Sequence, residues 1–147
     1  MNTYASNRRA VFDYNILEII EAGIELTGFE TKAVRLGRIN ISGSYAIIKN
    51  NQLWLLNAAI SPYQPQNLPS GFSGERTKRL LLKKKEIKSL IGRTKEKGLT
   101  LVPLKVYSRG EWIKIGIALA RKKLKSDKRE IIKKKEIKKE ISKFLKK

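Results

Sequence analysis

Lysine and arginine are concentrated in the last 27 residues of this sequence, residues 121–147. Fourteen of them stand there against four acidic residues, so this segment carries +10 of the formal +20 charge of the 147-residue chain. Charge of one sign at this density favours a polyanionic partner, because phosphates release condensed counterions when cations neutralise them. The competing interpretation is a solvated basic tail that only keeps the protein soluble.

The same segment carries a helix signal. Asp127 followed by Glu130 matches a helix N-cap with its reciprocal partner three residues later. A narrow apolar stripe at helical spacing follows, made of Ile137, Ile141, Phe144 and Leu145. Because so narrow a stripe does not offset the entropy of ordering the chain, we expect residues 121–147 to be disordered, or a frayed helix, until they bind a partner.

Groups that could catalyse a reaction or hold a metal are scarce. The sequence has no cysteine and no histidine, which removes thiol nucleophiles, disulfides, the usual zinc ligands and the most common general base. The acidic residues are few and scattered. We therefore expect no enzymatic activity, no cofactor and no metal site.

The first 120 residues hold nearly all the aromatic and β-branched side chains and are also basic, with nineteen Lys or Arg against nine acids. We expect one nucleic-acid-binding domain over residues 1–120, with residues 1–10 as a mobile arm, followed by the tail. No run approaches the roughly 18 apolar residues of a membrane-spanning helix, and the N-terminus has no signal-peptide pattern. These features predict a cytoplasmic protein that does not enter the membrane.

Residue patterns in this domain predict strands joined by short helices. Residues 12–26 fit a long bent strand, with Gly23 as a possible bulge. Thr27 and Glu30 form a capping box that opens a helix ending at Gly37. Three side chains of that helix are expected to face the core: Phe29, Ala33 and Leu36.

Two hairpins are predicted further along the chain. Residues 44–60 form the first, with a tight turn at Asn50 and Asn51, and its Trp54 is either a core residue or a platform for a stacked base. Residues 99–107 and 112–120 form the second. Pro103 requires a bulge or an edge in that hairpin, and the alternating isoleucines of residues 112–120 predict one buried face.

Between the hairpins, residues 61–74 read as a surface loop and residues 76–97 as a helix with a dense basic side. Several strands with short helices in so small a domain fit a closed antiparallel β-barrel of the oligonucleotide-binding type, with flanking helices. An open α+β sheet is the alternative.

Eight short motifs together resemble the SsrA-binding protein (small protein B) family. They lie in order at residues 7–10 (NRRA), 20–24 (IEAGI), 28–35 (GFETKAVR), 40–45 (NISGSY), 60–63 (ISPY), 79–82 (RLLL), 98–104 (GLTLVPL) and 127–129 (DKR). None is decisive alone, but their order and gaps make the resemblance specific over essentially the whole chain.

The resemblance implies an RNA-binding protein of the oligonucleotide-binding barrel type. It implies binding to the tRNA-like domain of transfer-messenger RNA and rescue of stalled ribosomes by trans-translation. The tail would enter the empty message channel at the decoding region of the small subunit. A ribosomal protein or general RNA chaperone of the same fold is the alternative, and the polar tail and small core predict a monomer.

Candidate RNA contacts in the body come from charge and from the resemblance. Cationic patches supply Lys32, Arg35, Lys78, Arg79 and Lys83. The resemblance implies Glu21, Asn40 and Leu82 as contacts or supports. A carboxylate such as that of Glu21 can accept a hydrogen bond from a 2′-hydroxyl or a base amino group, or can orient a neighbouring arginine.

Candidate ribosome contacts lie in the tail. Lys128 and Arg129 are expected at the decoding region, Asp127 is expected to cap and orient, and Lys123 and Lys133 add charge on either side. The chain departs from the family pattern in two places. Residues 121–124 offer no glycine hinge, and Ser126 stands where relatives often have an aromatic residue or histidine that stacks.

Overall fold

The structure, a computed structural model, describes residues 2–64, 66, 68–95, 98–124 and 144–145. Within them the fold is mainly β with short helices, as predicted. The elements are β1 (Thr3–Ser6), α1 (Arg8–Asp13), β2 (Tyr14–Ile24), α2 (Gly28–Arg35), β3 (Ile39–Asn40), β4 (Tyr45–Lys49), β5 (Gln52–Leu56), β6 (Ala59–Ile60), β7 (Lys78–Leu81), α3 (Lys84–Thr94), β8 (Leu99–Arg109) and β9 (Trp112–Lys122).

Seven strands form one sheet in the order β1-β8-β4-β5-β7-β2-β9, and β9 also pairs with β8. Strand pairings therefore run in a ring from β8 through β4, β5, β7, β2 and β9 back to β8, with β1 alongside β8. All the pairings are antiparallel, and the β4–β8 contact is the shortest, a single pair of Ala46 and Leu101. β3 and β6 make a separate two-stranded ribbon.

The main core lies on the inner face of this ring. On β9 the side chains of Ile113, Ile115, Ile117 and Leu119 are buried there, as their alternation predicts. The expectation that β9 has only one buried face is wrong, because a second, smaller cluster covers the other face. That outer cluster consists of Ala10, Val102, Leu104, Ala118, Ala120 and Leu145. Alanines on β9 leave room there for α1 and for Leu145 to approach the sheet.

The capping box predicted for α2 and the tight turn predicted for the first hairpin are both confirmed. Thr27 Oγ1 accepts a hydrogen bond from the Glu30 N–H at 3.1 Å, and Glu30 Oε1 accepts one from the Thr27 N–H at 2.9 Å. Gly37 follows the helix with φ +76°. Leu36, expected inside, is exposed because the helix ends at Arg35. At the hairpin, Asn50 and Asn51 both have the positive φ that a tight primed turn needs.

Bulges occur at one predicted position and at one that was not predicted. The register of β8 against β9 shifts between Pro103 and Lys105, as proline requires. In β2 the shift lies between Ile16 and Glu18, so the bulge predicted at Gly23 is wrong. A Cβ at Gly23 would lie 3.2 Å from the Leu81 Cβ, so glycine there allows β7 to approach β2 closely.

The predicted helix over residues 76–97 is wrong in its first part. Residues 78–81 form β7, where Lys78 and Leu80 are buried while Arg79 and Leu81 are not, and α3 starts at Lys84. A strand of four residues is too short to show its period of two beside a longer helical pattern.

The N-terminal residues do not form the mobile arm that was expected. Thr3–Ser6 pairs with β8, and the buried Asn7 caps α1 by accepting from the Ala10 N–H at 3.3 Å. The Asn7 side-chain amide also donates to the carbonyl of Pro103 at 2.9 Å. These bonds depend on strand β8, about a hundred residues away in sequence, so the polar composition of the segment did not reveal them. In the described part of the chain, no helix is long and apolar enough to cross a membrane.

Candidate nucleic-acid interface

Glu21 lies on the outer face of β2 and is held by two side chains of β8. The Tyr107 hydroxyl donates to one carboxylate oxygen, and Arg109 Nη1 donates to the other at 3.0 Å. Burial, together with the neighbouring Glu21 carboxylate, raises the pKa of Tyr107, so the phenol remains a donor at neutral pH. The Glu21 side chain is 33% exposed, and each of its oxygens has a further lone pair for an outside donor.

Arg35, at the end of α2, extends this group towards the β8–β9 turn. Its Nη2 donates to the carbonyl oxygen of Glu111 at 2.9 Å and its Nη1 to the Tyr4 hydroxyl at 3.4 Å. Trp112 at the same turn is 72% exposed. We call this surface the turn-end cluster; it consists of Glu21, Arg35, Tyr107, Arg109 and Trp112.

The turn-end cluster contains three residues that the sequence analysis did not single out. Tyr107 and Arg109 share one face of β8, since they are two residues apart, and their distance to Glu21 was not visible from sequence. The available signal was the predicted turn over residues 108–111, which contains Arg109 and is followed directly by Trp112. Two cations, one carboxylate and an exposed indole can together contact phosphate, ribose and base.

Lys32 and Arg35 do not act as one pair. The Lys32 ammonium lies 5.5 Å from the centre of the Tyr63 ring, in the loop over residues 61–74, whereas Arg35 contacts the β8–β9 turn. Asn40 is exposed on β3, and its Oδ1 accepts from the Ser42 N–H at 2.9 Å. That bond shapes a turn and leaves the amide donors of Asn40 facing outward as candidate contacts.

A second cationic surface surrounds α3. Lys83 precedes the helix and is exposed, as are Lys84, Lys85 and Lys88. Arg79 on β7 is partly exposed, 3.8 Å from a carboxylate oxygen of Glu25. Leu82 is partly buried against the main core, which places it as a support between β7 and α3.

The interpretation that placed Lys78 on a solvated helix face is wrong, because its side chain is fully buried on a strand. Its ammonium donates to the carbonyls of Ala58 at 3.1 Å and Arg76 at 2.7 Å, and burial lowers its pKa. Nearby, Glu30 accepts from Arg76 at 2.6 Å. Burial acts to raise the pKa of Glu30, but bonds from Arg76 and the Thr27 N–H outweigh it and hold the pKa below its usual value.

Trp54 is half-buried on the outer face of the ring and is not part of the main core. Its indole N–H donates to the Lys49 carbonyl at 3.2 Å. It lines a concavity of about 340 Å³ with Ile47, Lys49, Asn50, Leu56 and Thr77. The indole is therefore anchored, and one side of it borders this concavity.

Of the tail residues singled out from the sequence, the structure describes Lys123 alone. Its N–H donates to the Asp13 carbonyl at 2.9 Å and its ammonium to the Val11 carbonyl at 3.3 Å, so it fixes the end of β9 to α1. Asp127, Lys128, Arg129 and Lys133 lie outside the described residues. Since β9 runs to Lys122, the folded body extends past the predicted boundary at residue 120. Among the described residues, no three His, Cys, Asp or Glu side chains are grouped to hold a metal.

Comparison with known proteins identifies one family. A family model described as SmpB protein matches residues 4–147. The SsrA-binding protein of Carboxydothermus hydrogenoformans is 50% identical over 141 residues, which is 96% of this chain and 94% of that protein. The SsrA-binding protein of Gloeothece citriformis is 48% identical over 140 residues, covering 95% and 90% respectively.

A solved structure described as tmRNA–SmpB in the bacterial ribosome contains a similar chain. It is 39% identical, the match covers 90% of this chain and 95% of that one, and the TM-score is 0.68. The similarity thus holds in sequence and in three dimensions over nearly the full length of both chains.

Proposed function

Because the chain belongs to the SmpB protein family, we propose that it binds transfer-messenger RNA and brings it to stalled ribosomes in trans-translation. The observation that carries this proposal is the extent of the family match, residues 4–147, which includes both the folded body and the basic tail. The structural relative is described as tmRNA–SmpB in the bacterial ribosome, which supports both partners. The role is binding without catalysis, and it places the protein in the cytoplasm with the ribosome.

The folded body is proposed to bind the tRNA-like domain of transfer-messenger RNA. Folded RNA is recognised through its shape, phosphates and 2′-hydroxyls, and unpaired bases stack on aromatic side chains. In the turn-end cluster, Arg35 and Arg109 suit phosphates, Glu21 suits a 2′-hydroxyl or base amino group, and the exposed Trp112 suits stacking. The cationic side of α3, with Lys83 and Arg79, offers a second set of phosphate contacts.

The ring of strand pairings is proposed to be a small closed barrel of the oligonucleotide-binding type. The pairings from β8 round to β9 support this, since each strand in the ring has two neighbours. Such a scaffold would hold the turn-end cluster and the α3 surface at a constant separation. A preformed spacing between two cationic surfaces favours one folded RNA over random duplex.

The tail is proposed to enter the empty message channel, with Lys128 and Arg129 at the decoding region and Asp127 capping the segment. Its charge of +10 suits a channel lined by ribosomal RNA. A segment that orders on contact can follow a confined groove. Lys123, bound to the end of α1, would mark the point at which the tail leaves the body.

The test is the double variant Lys128→Ala with Arg129→Ala. We expect it to abolish peptide tagging in a reconstituted translation assay while transfer-messenger RNA affinity, measured by gel shift, stays near that of the unmodified protein. Deletion of residues 125–147 should behave in the same way. The matched control, Lys146→Ala with Lys147→Ala, removes equal charge and should keep tagging. Tagging that survives the first double variant would exclude the tail, and failure to prefer transfer-messenger RNA over duplex would exclude the function.

A further inference from the structure

The last residues that the structure describes, Phe144 and Leu145, lie against the outer face of β8 and β9. Leu145 is only 5% exposed and belongs to the outer cluster with Ala118 and Ala120. Phe144 is half-buried beside it. Two apolar residues near the end of a basic tail are therefore covered by the folded body.

A glycine in the middle of β9 makes room for the Phe144 ring. A Cβ built at Gly116 would overlap that ring, whereas Gly92 on α3 has no atom within 4 Å of its Cβ position. Gly116 shows no positive φ, so its backbone does not require glycine. Glycine inside a strand weakens it and is expected where another group must come close. Here the group that comes close is Phe144.

Polar contacts fix the orientation of the docked end. The Lys105 ammonium donates to the Phe144 carbonyl at 2.6 Å and lies 4.6 Å from the centre of the Phe144 ring. The Tyr107 ring meets Phe144 edge-on, with 6.1 Å between the ring centres. The backbone and the ring of Phe144 are thus both recognised, which distinguishes this contact from a loose apolar collapse.

We propose that the outer face of β8 and β9, centred on Gly116 and Lys105, is a receptor for the C-terminal end of this same chain. Docking of Phe144 and Leu145 there holds the C-terminal end of the chain on the body, which we call the closed state. Leu124 lies just past the end of β9, and the Phe144 ring lies against Gly116 in the middle of the same strand. The tail must be released from this receptor before its full length can extend away from the body.

The receptor also adjoins the candidate RNA surface. Tyr107 contacts Phe144 through its ring and donates to Glu21 through its hydroxyl. One member of the turn-end cluster, Tyr107, therefore also contacts the docked C-terminal end. The docking of Phe144 and Leu145 does not depend on the proposed function. That this end must leave the body before the tail enters the message channel does rest on the proposed function.

The docking is tested in the free, full-length protein by paramagnetic relaxation. The chain has no cysteine, so a nitroxide attached to Lys147→Cys reports on the tail end alone. The label is three residues beyond Phe144, a chain length of about 10 Å. We expect strong broadening of the backbone amides of Gly116 and Ala118. A mixture of labelled and isotope-enriched chains, in which only contacts between copies broaden signals, should show none.

Variants on both sides of the contact make the test decisive. Gly116→Ala, by blocking the ring, and Phe144→Ala, by removing it, should each shift the ratio of closed to open chains by about tenfold. Gly92→Ala, an identical change in open space, should leave the broadening intact. Phe144→Ala adds no atom to the sheet, so it remains informative if Gly116→Ala unfolds the protein.

Three results would overturn the proposal: no broadening in the parent chain, broadening unchanged by Phe144→Ala, or broadening that appears only between copies. The measurement needs neither RNA nor ribosomes. A failed docking test therefore leaves the proposed function standing, and a failed tagging test leaves the docking standing.

Discussion

The carboxylates of Glu30 and Glu21 have similar hydrogen-bond partners, but the first is buried and the second is partly exposed. Glu30 accepts from Arg76 and from a backbone N–H, and its side chain is 3% exposed. Glu21 accepts from Arg109 and Tyr107, and its side chain is 33% exposed. Every partner of Glu30 is supplied by the fold, while Glu21 and the 69% exposed Arg109 can exchange part of their contacts for an outside molecule.

The comparison shows that charge alone does not identify a binding residue in so basic a chain. Lys78 and Lys83 are five residues apart, yet one is buried against backbone carbonyls and the other faces solvent. Burial of a charge is costly unless the fold supplies all its partners. The hydrogen bonds of a buried ion are therefore made within the protein and are not available to a ligand. An exposed one remains available to RNA.

The variant expected to have the largest effect on stability is Glu30→Ala, which tests whether buried charged groups stabilise the fold more than exposed ones. It leaves Arg76 without its partner and removes half of the capping box, so we expect a loss of about 3 kcal/mol in unfolding free energy, measured by urea titration. Since Arg76 is 38% exposed, water limits the loss. The control is Glu25→Ala, which removes an exposed partner of Arg79 and should cost less than about 1 kcal/mol. Equal losses in the two variants would contradict the distinction.

The same residue predicts a pH dependence. The pKa of Glu30 is lower folded than its ordinary value of 4.5, so the unfolded chain binds the proton more readily. The stabilisation is complete above that ordinary value and is lost as the pH falls through the folded pKa. Unfolding titrations should therefore show a steeper acid loss for the parent protein than for Glu30→Ala; parallel curves would contradict this.

Lys78→Met is expected to have the next largest effect. Methionine fills a similar volume but leaves the carbonyls of Ala58 and Arg76 without their donor, at a cost of roughly 2 kcal/mol. The exposed Lys88→Met is the control and should change the unfolding free energy by less than about 0.5 kcal/mol. Both variants remove one charge from the chain. Equal losses of RNA affinity in the two variants, with no change in unfolding free energy, would contradict the buried position of Lys78 and indicate that it is exposed to RNA.

Glu21→Ala should have the smallest effect on stability and a specific effect on binding. Removing the acceptor should lower transfer-messenger RNA affinity by about tenfold at fixed salt, because one charged hydrogen bond is lost. The unfolding free energy should fall by about 1 kcal/mol, because the exposed pair with Arg109 contributes little but the buried Tyr107 hydroxyl loses its acceptor. Glu75→Ala removes the same charge at an exposed site outside the cluster. An increase in affinity for both variants, as simple removal of negative charge predicts, would exclude a contact by Glu21.

Features specified by neighbouring residues were predictable. Thr27 and Glu30 cap α2 through contacts only three residues apart, and Asn50 and Asn51 form their turn from their own backbone preferences. The alternation of Ile113, Ile115 and Ile117 correctly places the inner face of β9. The bulge after Pro103 follows from a missing N–H. Each of these features depends on the side chain or backbone preferences of the residue itself and of its near neighbours in sequence.

Features specified by distant partners were not predictable. Thr3–Ser6 looked like a free arm because its hydrogen-bonding partner is the far strand β8. Lys78 looked like a surface cation because nothing near it in sequence shows that the Ala58 carbonyl will accept a hydrogen bond from its ammonium. The outer cover of β9 depends likewise on α1 and on Leu145.

The sequence by itself determined the charge of the chain, the family to which its motifs belong, the absence of histidine and cysteine, and the local turns and caps. Tertiary structure alone decided which charged side chains are buried and paired within the fold, which side chains hold Glu21, and where Phe144 and Leu145 dock. The physical reason is that composition and short-range hydrogen bonds are properties of the chain. Burial, by contrast, is a property of the packed whole, and burial determines whether a charged group stabilises the fold or remains free to bind a partner.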